Sequence, residues 1–336
     1  MSCNELIKNF IKENDSISLE KFMEIALYDL NYGYYTTNTN IIKDYTTSPE
    51  ISPLFGECIA IWLIKKIELL VNKNKQININ IVEYGAGNGT MMKDILRVLE
   101  YIPQYFKLIN IYFVEISPKL IENQRNNLLK YQDKIKWIDD IDNIDNDYPT
   151  LIISNEFFDA LPIKQFILKD KTWNERHITI NSEDKLDYCM VPSNIDLPQY
   201  EDGTIIETRD NGKIILNQWE RYIQCNQGAI LAIDYGYTES PKISTLQSIK
   251  GHKYNDIFDN IGHSDLTALV DFTSLTKASI ISQRSLLTSL GIFIRANDLI
   301  SKYPEKKDNI EKQLYLLTSP EKMGVLFKGF EIDEIH

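Results

Sequence analysis

The chain has 336 residues, 43% hydrophobic and 25% charged, so it is long enough to bury the core of one large α/β domain or two small ones. Its 48 acidic and 36 basic side chains give a net charge of -12. This charge argues against nucleic acid as the main partner and suits a basic protein better, and no apolar run is long enough to span a membrane.

The spacing of cysteine and histidine gives no sign of a disulfide framework or a metal centre. The four cysteines include no Cys-x-x-Cys pair, and the four histidines are too dispersed to form a ligand motif. The N-terminal residues carry early acidic side chains and lack the apolar region of a signal peptide. The sequence therefore predicts a cytoplasmic protein with reduced thiols and no metal.

The first 78 residues predict a helical extension. Ser18 is a suitable N-cap for an amphipathic helix over residues 19–28, where apolar side chains recur at helical spacing. A second helix is predicted from about Pro53 to Leu70, since proline is tolerated in a first turn. Between the two helices, residues 46–52 read Thr-Thr-Ser-Pro-Glu-Ile-Ser and are expected to form a loop.

From Ile79 onwards, strands alternate with helices, which predicts a parallel sheet with right-handed crossovers. Gly228 is expected to stop the helix that precedes the fifth strand. The predicted strands cover residues 79–84, 109–115, 135–138, 151–154 and 229–234, and the predicted helices cover residues 90–101, 118–129 and 213–225.

The alternation breaks after the fourth strand. Residues 163–205 predict short antiparallel strands joined by Asp, Asn and Ser turns, which we interpret as an insertion. The remainder adds a helix near 280–290 and a closing strand near 325–330. The predicted divisions are the extension with its loop (1–78), one half of the sheet domain (79–162), the insertion (163–205) and the rest of the sheet domain (206–336).

The first predicted strand leads into three alternating glycines, Gly85, Gly87 and Gly89. A dinucleotide fingerprint needs a glycine where Thr90 stands, and no Gly-Lys-Ser/Thr follows to complete a P-loop. The remaining pattern, acidic-x-Gly-x-Gly-x-Gly, is the one used by Rossmann-like methyltransferases that depend on S-adenosylmethionine (SAM). Glu83 would face the aminoacyl end of that cofactor. The alternative is a tight strand-to-helix turn without a ligand.

Acidic residues follow the second and third strands, at the sheet edge where ligands bind in such folds. Glu115 ends the second strand and could accept hydrogen bonds from both ribose hydroxyls of the cofactor. Asp139 or Asp140 follows the third strand and could accept from the adenine amino group. The alternative for all three is a solvated surface carboxylate.

The fourth strand ends in a polar cluster of Asn155, Glu156 and Asp159 around two phenylalanines. If the group that receives the methyl is a guanidinium, carboxylates suit it, because they form paired, charge-assisted hydrogen bonds with it. Turn-making and helix capping are the alternative roles. Glu50 is a further catalytic candidate, and Asp234 and Asp265 are additional acidic candidates.

Ordered motifs between Phe22 and Phe330 resemble the MidA-like family of SAM-dependent methyltransferases, whose mitochondrial members are protein arginine methyltransferases needed for respiratory complex I assembly. The resemblance implies an α/β fold: a Rossmann-like class I SAM-dependent methyltransferase sheet with an N-terminal helical extension and an inserted antiparallel β segment. Its motifs are Phe22-Met23, Ala26-Leu27-Tyr28, Gly33-Tyr34-Tyr35, Thr47 to Ser52, Phe55-Gly56-Glu57, Glu83 to Thr90, Val114 to Pro118, Asn155 to Pro162, Asp234-Tyr235-Gly236, Asp265 to Ala268, Val270-Asp271-Phe272, Met323-Gly324 and Phe327-Lys328.

The same resemblance implies roles for particular residues. Asn155 and Glu156 would face the methyl acceptor, an arginine of a complex I subunit or its bacterial equivalent. The chain departs from the family in the late, substrate-side region, where Gln247 stands in place of the usual arginine and Ile261 in place of the usual proline. The residues expected to bind SAM, with S-adenosylhomocysteine as the product, are Glu83, Gly85, Ala86, Gly87, Gly89, Thr90, Glu115, Ile116, Asp139 and Asn155, with Ser48, Pro49 and Ser52 in a covering segment.

The predicted function is SAM-dependent methyl transfer to a protein side chain, most simply arginine. Two alternatives keep the cofactor but change the role: a non-catalytic assembly chaperone that binds SAM, and a methyltransferase acting on a small molecule. A nicotinamide oxidoreductase is disfavoured by Thr90. The sequence predicts no oligomeric state.

Overall fold

The computed structural model describes residues 1–37, 46–74 and 77–335. The helices are α1 (Cys3–Asn14), α2 (Leu19–Tyr28), α3 (Tyr34–Thr37), α4 (Ser48–Ile51), α5 (Pro53–Lys73), α6 (Thr90–Leu99), α7 (Pro103–Phe106), α8 (Pro118–Asn127), α9 (Asp210–Asn226), α10 (Phe272–Leu275), α11 (Gln283–Ser289), α12 (Ile292–Lys302), α13 (Lys307–Thr318) and α14 (Met323–Leu326). The strands are β1 (Ile17–Ser18), β2 (Ile79–Tyr84), β3 (Ile109–Val114), β4 (Ile135–Ile138), β5 (Thr150–Asn155), β6 (Lys164–Lys169), β7 (Thr172–Ile180), β8 (Leu186–Pro192), β9 (Ile205–Thr208), β10 (Gly228–Tyr237), β11 (Gln247–Lys250), β12 (Lys253–Asn255), β13 (Asp265–Thr267), β14 (Val270–Asp271), β15 (Ile280–Ser282) and β16 (Phe327–Asp333).

Two compact units divide these elements between them. The first unit is formed by the described residues within Met1–Tyr45, Phe158–Ile214 and Tyr237–Thr276, and the second by those within Thr46–Phe157, Ile215–Gly236 and Lys277–His336. The domain boundaries drawn from the sequence stay predictions. No helix in the described ranges is both long and apolar enough to cross a membrane.

The second unit contains a sheet in the order β15-β16-β10-β5-β2-β3-β4. From β10 to β4 all neighbours are parallel, which confirms the parallel sheet predicted for this part of the chain. Every residue of the central strands β2 and β5 is buried, as expected for parallel strands covered on both faces. Buried apolar residues of α5, α6 and α11 to α13 pack into the same core.

Two predicted boundaries near the end of this sheet were wrong. Ile280 to Ser282 form β15, which pairs antiparallel with β16, and the helix begins only at Gln283 because the Ser282 side chain caps it by accepting from Ser285 N. Val325 belongs to the helical turn α14, so the closing strand starts at Phe327. That strand pairs antiparallel with β10.

The prediction that Gly228 stops the preceding helix was also wrong. It is the first residue of β10, and a Cβ there would collide with the Thr150 carbonyl of the neighbouring strand β5. Gln227, with a φ of 63°, provides the left-handed residue that ends α9. Close strand packing, not helix termination, therefore requires this glycine.

The first unit confirms two local predictions. Ser18 caps α2 by accepting from Lys21 N at 3.1 Å, and α2 spans the predicted residues 19–28. Strands β6, β7 and β8 are antiparallel, as predicted for the insertion, and the sheet is extended by β9 and by β1. A small apolar core of Phe166, Leu168 and Trp173 supports it.

Candidate functional site

The three glycines after β2 all adopt left-handed backbone. The φ angles are 65° at Gly85, 53° at Gly87 and 77° at Gly89, where side-chain-bearing residues are strained. A Cβ at Gly85 would lie 3.0 Å from the Phe157 ring, whereas a Cβ at Gly87 would meet no described atom within 4 Å. The turn therefore packs tightly on one side and leaves open space beside Gly87, into which a ligand can fit.

In the second unit, three polar side chains lie at the ends of neighbouring strands or just beyond them. Strand register places Glu83 of β2, Glu115 after β3 and Asn155 of β5 on the same face of the sheet. All three are at least nine-tenths buried. Among the described residues, no hydrogen-bond partner reaches Glu83 Oε2 or Asn155 Oδ1. Buried acceptors without a donor are costly, so this face has the chemistry to receive a ligand with donor groups.

Burial raises the pKa of Glu83 well above its ordinary value of 4.5, because the charged carboxylate loses its hydration in the folded protein. Because the folded state binds the carboxyl proton more tightly than the unfolded state, stability decreases as pH rises from about 4.5 through the raised pKa. We expect Glu83→Gln to remove this decrease and to make the ligand-free protein more stable at neutral pH. The unfolding temperatures of the wild type and of Glu83→Gln, measured across a pH series, check both expectations.

The matched control is Glu68→Gln, because Glu68 is exposed on α5 in the same unit. It should leave the pH dependence of the unfolding temperature unchanged. A Glu83→Gln variant with the wild-type pH dependence would contradict the assignment of this proton to Glu83.

Glu115 is 7% exposed and accepts two hydrogen bonds within the unit, from Ser117 N to Oε1 at 2.9 Å and from Gln124 Nε2 to Oε2 at 3.0 Å. Each carboxylate oxygen can accept a further bond. The next side chain, Ile116, is 48% exposed and presents an apolar surface beside the carboxylate. The site thus combines acceptors and an exposed apolar group at one strand end.

The acidic pair after β4 separates into two environments. Asp140 Oδ1 accepts from Asp142 N and from Gln218 Nε2, so this carboxylate organises its own turn. Asp139 is exposed, and its side chain has no hydrogen bond among the described residues. Of the two, Asp139 is the one left available to a ligand.

The segment 46–52 contains the helical turn α4 where the sequence predicts a loop, with Pro49 near its start. Ser48 N donates to Glu156 Oε1 at 2.9 Å, and Thr90 Oγ1 donates to Glu50 Oε1 at 2.6 Å. Ser52 Oγ donates to Gln313 Oε1 at 2.9 Å. These bonds fix the segment to the end of β5, to the helix that follows the glycine turn and to α13. That the segment covers the cofactor stays a prediction.

Glu156 immediately follows β5 and has a φ of 52°, which is uncommon for a residue other than glycine. Its N–H donates to Ile233 O at 2.9 Å. Its Oε1 accepts from Ser48 N and from Asn155 Nδ2, both at 2.9 Å. These hydrogen bonds hold the carboxylate of Glu156 in one place. Backbone strain that is maintained by surrounding bonds is typical of functional positions.

Asp234 supports the backbone next to Glu156. Its carboxylate is 1% exposed and accepts from Phe157 N at 3.1 Å and from Tyr235 N at 2.9 Å. In Asp234→Asn one of these N–H groups would face an amide donor, so we expect about 1 to 3 kcal/mol of lost stability and slower turnover. Denaturant unfolding and turnover measurements check it.

Asp256→Asn is the matched control, since Asp256 accepts from Phe258 N in an exposed loop. Its effect on stability should stay within about 0.5 kcal/mol. Equal stability losses in the two variants would count against the supporting role of Asp234.

Two predicted acidic residues belong to the first unit. The backbone oxygen of Asp159 accepts from Ala268 N at 3.1 Å and from Arg209 Nη2 at 3.4 Å, while its side chain is 5% exposed. Asp265 Oδ1 accepts from Tyr35 Oη at 2.7 Å. Arg209 also donates to Ala268 O at 2.9 Å, so its buried guanidinium ties the segment after Phe158 to residue 268.

Comparison with known proteins identifies the family. The family described as "Putative S-adenosyl-L-methionine-dependent methyltransferase" matches residues 58–291, more than half of the chain. The chain belongs to this methyltransferase family. Its sequence thus confirms the predicted enzyme class and the predicted cofactor, SAM.

Curated relatives of the methyltransferase extend over nearly its whole length. "Protein arginine methyltransferase NDUFAF7, mitochondrial" from Xenopus laevis is 30% identical, covering 98% of this chain and 85% of that protein. The protein of the same name from Mus musculus is 29% identical, covering 96% and 82%. The resemblance to this family predicted from the motifs is confirmed.

A solved structure confirms the predicted fold class. The crystal structure of a Burkholderia thailandensis protein bound to S-adenosyl-homocysteine has a TM-score of 0.83 to the methyltransferase at 20% identity. It covers 99% of this chain and 92% of that chain. The α/β architecture is therefore that of a class I methyltransferase.

The second unit of the methyltransferase fits SAM. SAM has a cationic amino group, ribose hydroxyls and an adenine ring, and the unit offers unpaired buried acceptors at Glu83 and Asn155, the acceptor Glu115, and open space beside Gly87. Which residues touch the cofactor stays a prediction. Within the described ranges, which exclude His336, no group of three or more metal-ligating side chains forms a cation site.

Sequence reasoning missed three glutamines that support this unit of the methyltransferase. Gln283 accepts from Ser48 Oγ at 3.3 Å, Gln313 accepts from Ser52 Oγ, and Gln124 donates to Glu115. Gln124 had a detectable signal, because it lies four residues after the buried Leu120 on the inner face of α8. The other two have no local signal, since their partners are more than 200 residues away.

Proposed function

We propose that this methyltransferase transfers a methyl group from SAM to a guanidinium nitrogen of arginine in a protein. The proposal is carried by Glu156, whose carboxylate is fixed on left-handed backbone at the end of β5. The curated relatives bear the name protein arginine methyltransferase, which supports the same acceptor.

Bound SAM supplies an electrophilic methyl group on a sulfonium centre. The carboxylates of Glu156 and Glu50 suit a guanidinium through charge-assisted hydrogen bonds, which orient it and concentrate electron density on one nitrogen. Asn155 donates to Glu156 Oε1 and so fixes the rotamer of that carboxylate. Asp159 is a further catalytic candidate on the strength of the sequence motif alone. These residues act by positioning and electrostatics.

The residues proposed to bind the cofactor occupy the glycine turn, the strand ends and the covering segment. Glu83 would accept from the amino group, Glu115 from the ribose hydroxyls and Asp139 from the adenine amino group. The full proposed set is Ser48, Pro49, Ser52, Glu83, Gly85, Ala86, Gly87, Gly89, Thr90, Glu115, Ile116, Asp139 and Asn155.

For the acceptor, we propose a subunit of respiratory complex I or its bacterial equivalent, as the family resemblance implies. The net charge of -12 favours a basic protein partner. We propose the cytoplasm as the compartment, because all four cysteines are free thiols. The relatives' own names give a mitochondrial location for those proteins.

The decisive experiment compares the proteins of a deletion strain with those of the strain expressing the wild-type chain. Purified enzyme with isotopically labelled SAM should transfer the label to protein from the deletion strain, and peptide mass spectrometry should locate it on arginine. Label found only in small molecules would support the alternative of a small-molecule methyltransferase. Binding of S-adenosylhomocysteine without any labelled product would support the chaperone alternative.

A further inference from the structure

Gln124 is a fully buried amide on α8 whose polar groups are all used. Its Nε2 donates to Gly87 O at 2.8 Å and to Glu115 Oε2 at 3.0 Å. Its Oε1 accepts from Trp137 Nε1 at 2.8 Å. Burying an amide is costly unless it is hydrogen-bonded, and here three bonds compensate that cost while joining the glycine turn to the end of β3.

Trp137 determines which way this amide points. An indole N–H can only donate, so it must face the oxygen of the amide and not the nitrogen. The NH2 group is thereby directed at Gly87 and Glu115. Trp137 itself is fixed in β4, where it pairs with Phe113 of β3, and the guanidinium of Arg125 lies 4.8 Å from its ring centroid.

We propose that Gln124 and Trp137 are positioning residues for the cofactor, acting as a relay that orients the Glu115 carboxylate and the Gly87 carbonyl. This inference rests on the proposed cofactor site. The relay leaves acceptor capacity on Glu115, because a carboxylate has about four acceptor sites and the bonds from Ser117 N and Gln124 Nε2 occupy one site on each oxygen. It also explains why a glutamine occupies the apolar face of α8.

The relay also affects the ionisation of Glu115. Burial raises the pKa of this carboxyl, while the N–H groups of Ile116 and Ser117 and the amide of Gln124 lower it. Among the described residues, no charged side chain contributes to this balance. Without the amide, the pKa rises further, so the carboxylate required for the ribose hydroxyls becomes protonated at a higher pH.

Binding of S-adenosylhomocysteine to the full-length protein, measured by calorimetry across a pH series, tests the relay. We expect Gln124→Leu to weaken binding by about ten- to a hundredfold and to move the acidic loss of affinity to higher pH. Trp137→Phe keeps Gln124 but removes the donor that orients it, so it should weaken binding by about three- to tenfold. Gln132→Glu, on an exposed residue just after α8, should match the wild type.

Three outcomes separate the hypotheses. Wild-type affinity and wild-type pH dependence in both Gln124→Leu and Trp137→Phe would overturn the relay. A uniform loss without a shifted pH profile would also overturn it, since it would indicate a merely structural role. Failure of the wild-type protein to bind would refute the proposed cofactor site instead. If Gln124→Leu does not fold, Trp137→Phe carries the test alone.

Discussion

Replacement of Gly87 by alanine is expected to weaken binding of S-adenosylhomocysteine by at least about a hundredfold, about 3 kcal/mol. Gly87 has a φ of 53°, and a Cβ there would meet no described protein atom. The new methyl group would therefore enter the open space in which the cofactor is proposed to approach the backbone. Calorimetric titration measures the loss.

Gly251→Ala separates this effect from backbone strain. Gly251 has a φ of 56° and the same open surroundings, but it lies in a turn of the first unit. Both variants should lose about 1 to 2 kcal/mol of stability, because both force alanine into the left-handed region. Only Gly87→Ala should lose affinity, and equal affinities in the two variants would remove the glycine turn from the cofactor site.

Replacement of Glu156 by glutamine is the second change with a large expected effect. Glutamine keeps an acceptor oxygen for Ser48 N and preserves the shape of the side chain, but it removes the negative charge. If the carboxylate orients a guanidinium, kcat should fall by about a hundred- to a thousandfold. Single-turnover methylation of the arginine acceptor measures it.

Affinity for S-adenosylhomocysteine is the internal control for Glu156→Gln and should stay within about threefold of the wild type. A variant that binds the product, has lost turnover and still restores a deletion strain would favour the chaperone alternative. Unchanged turnover would exclude Glu156 from the acceptor side. A parallel loss of affinity would instead assign Glu156 to the cofactor side.

The elements that were predicted correctly have strong local signals. Strand β2 coincides with the predicted residues 79–84 and strand β4 with 135–138, because each is a short β-branched or apolar run with clear flanking residues. β15 was missed because Ile280 to Ser282 become a strand only through pairing with β16. Gly228 was misassigned for the same reason, since its role depends on the carbonyl of Thr150 in another strand.

The residues of the candidate site likewise divide into those with a local sequence signal and those that depend on distant parts of the chain. Glu83 and Asn155 could be proposed from sequence, because the ends of parallel strands converge on one edge of a sheet. The bond between Ser48 and Glu156 could not, because it joins residues 108 positions apart and no local pattern encodes it. Gln124 could have been singled out as a polar residue on an apolar helix face, but its partners are visible only in three dimensions.

The hydrogen bonds of segment 46–52, which is proposed to cover the cofactor, determine when the proposed site can form during synthesis. Ser48 is bonded to Glu156 and Gln283, and Ser52 to Gln313, so these contacts bridge up to 261 positions of the chain. A chain emerging from the ribosome with its N-terminus first exposes the segment long before its last partner. Contacts of such separation form slowly. A nascent chain can therefore form the glycine turn early, but the bond from Ser52 that fixes segment 46–52 can form only after Gln313 has emerged.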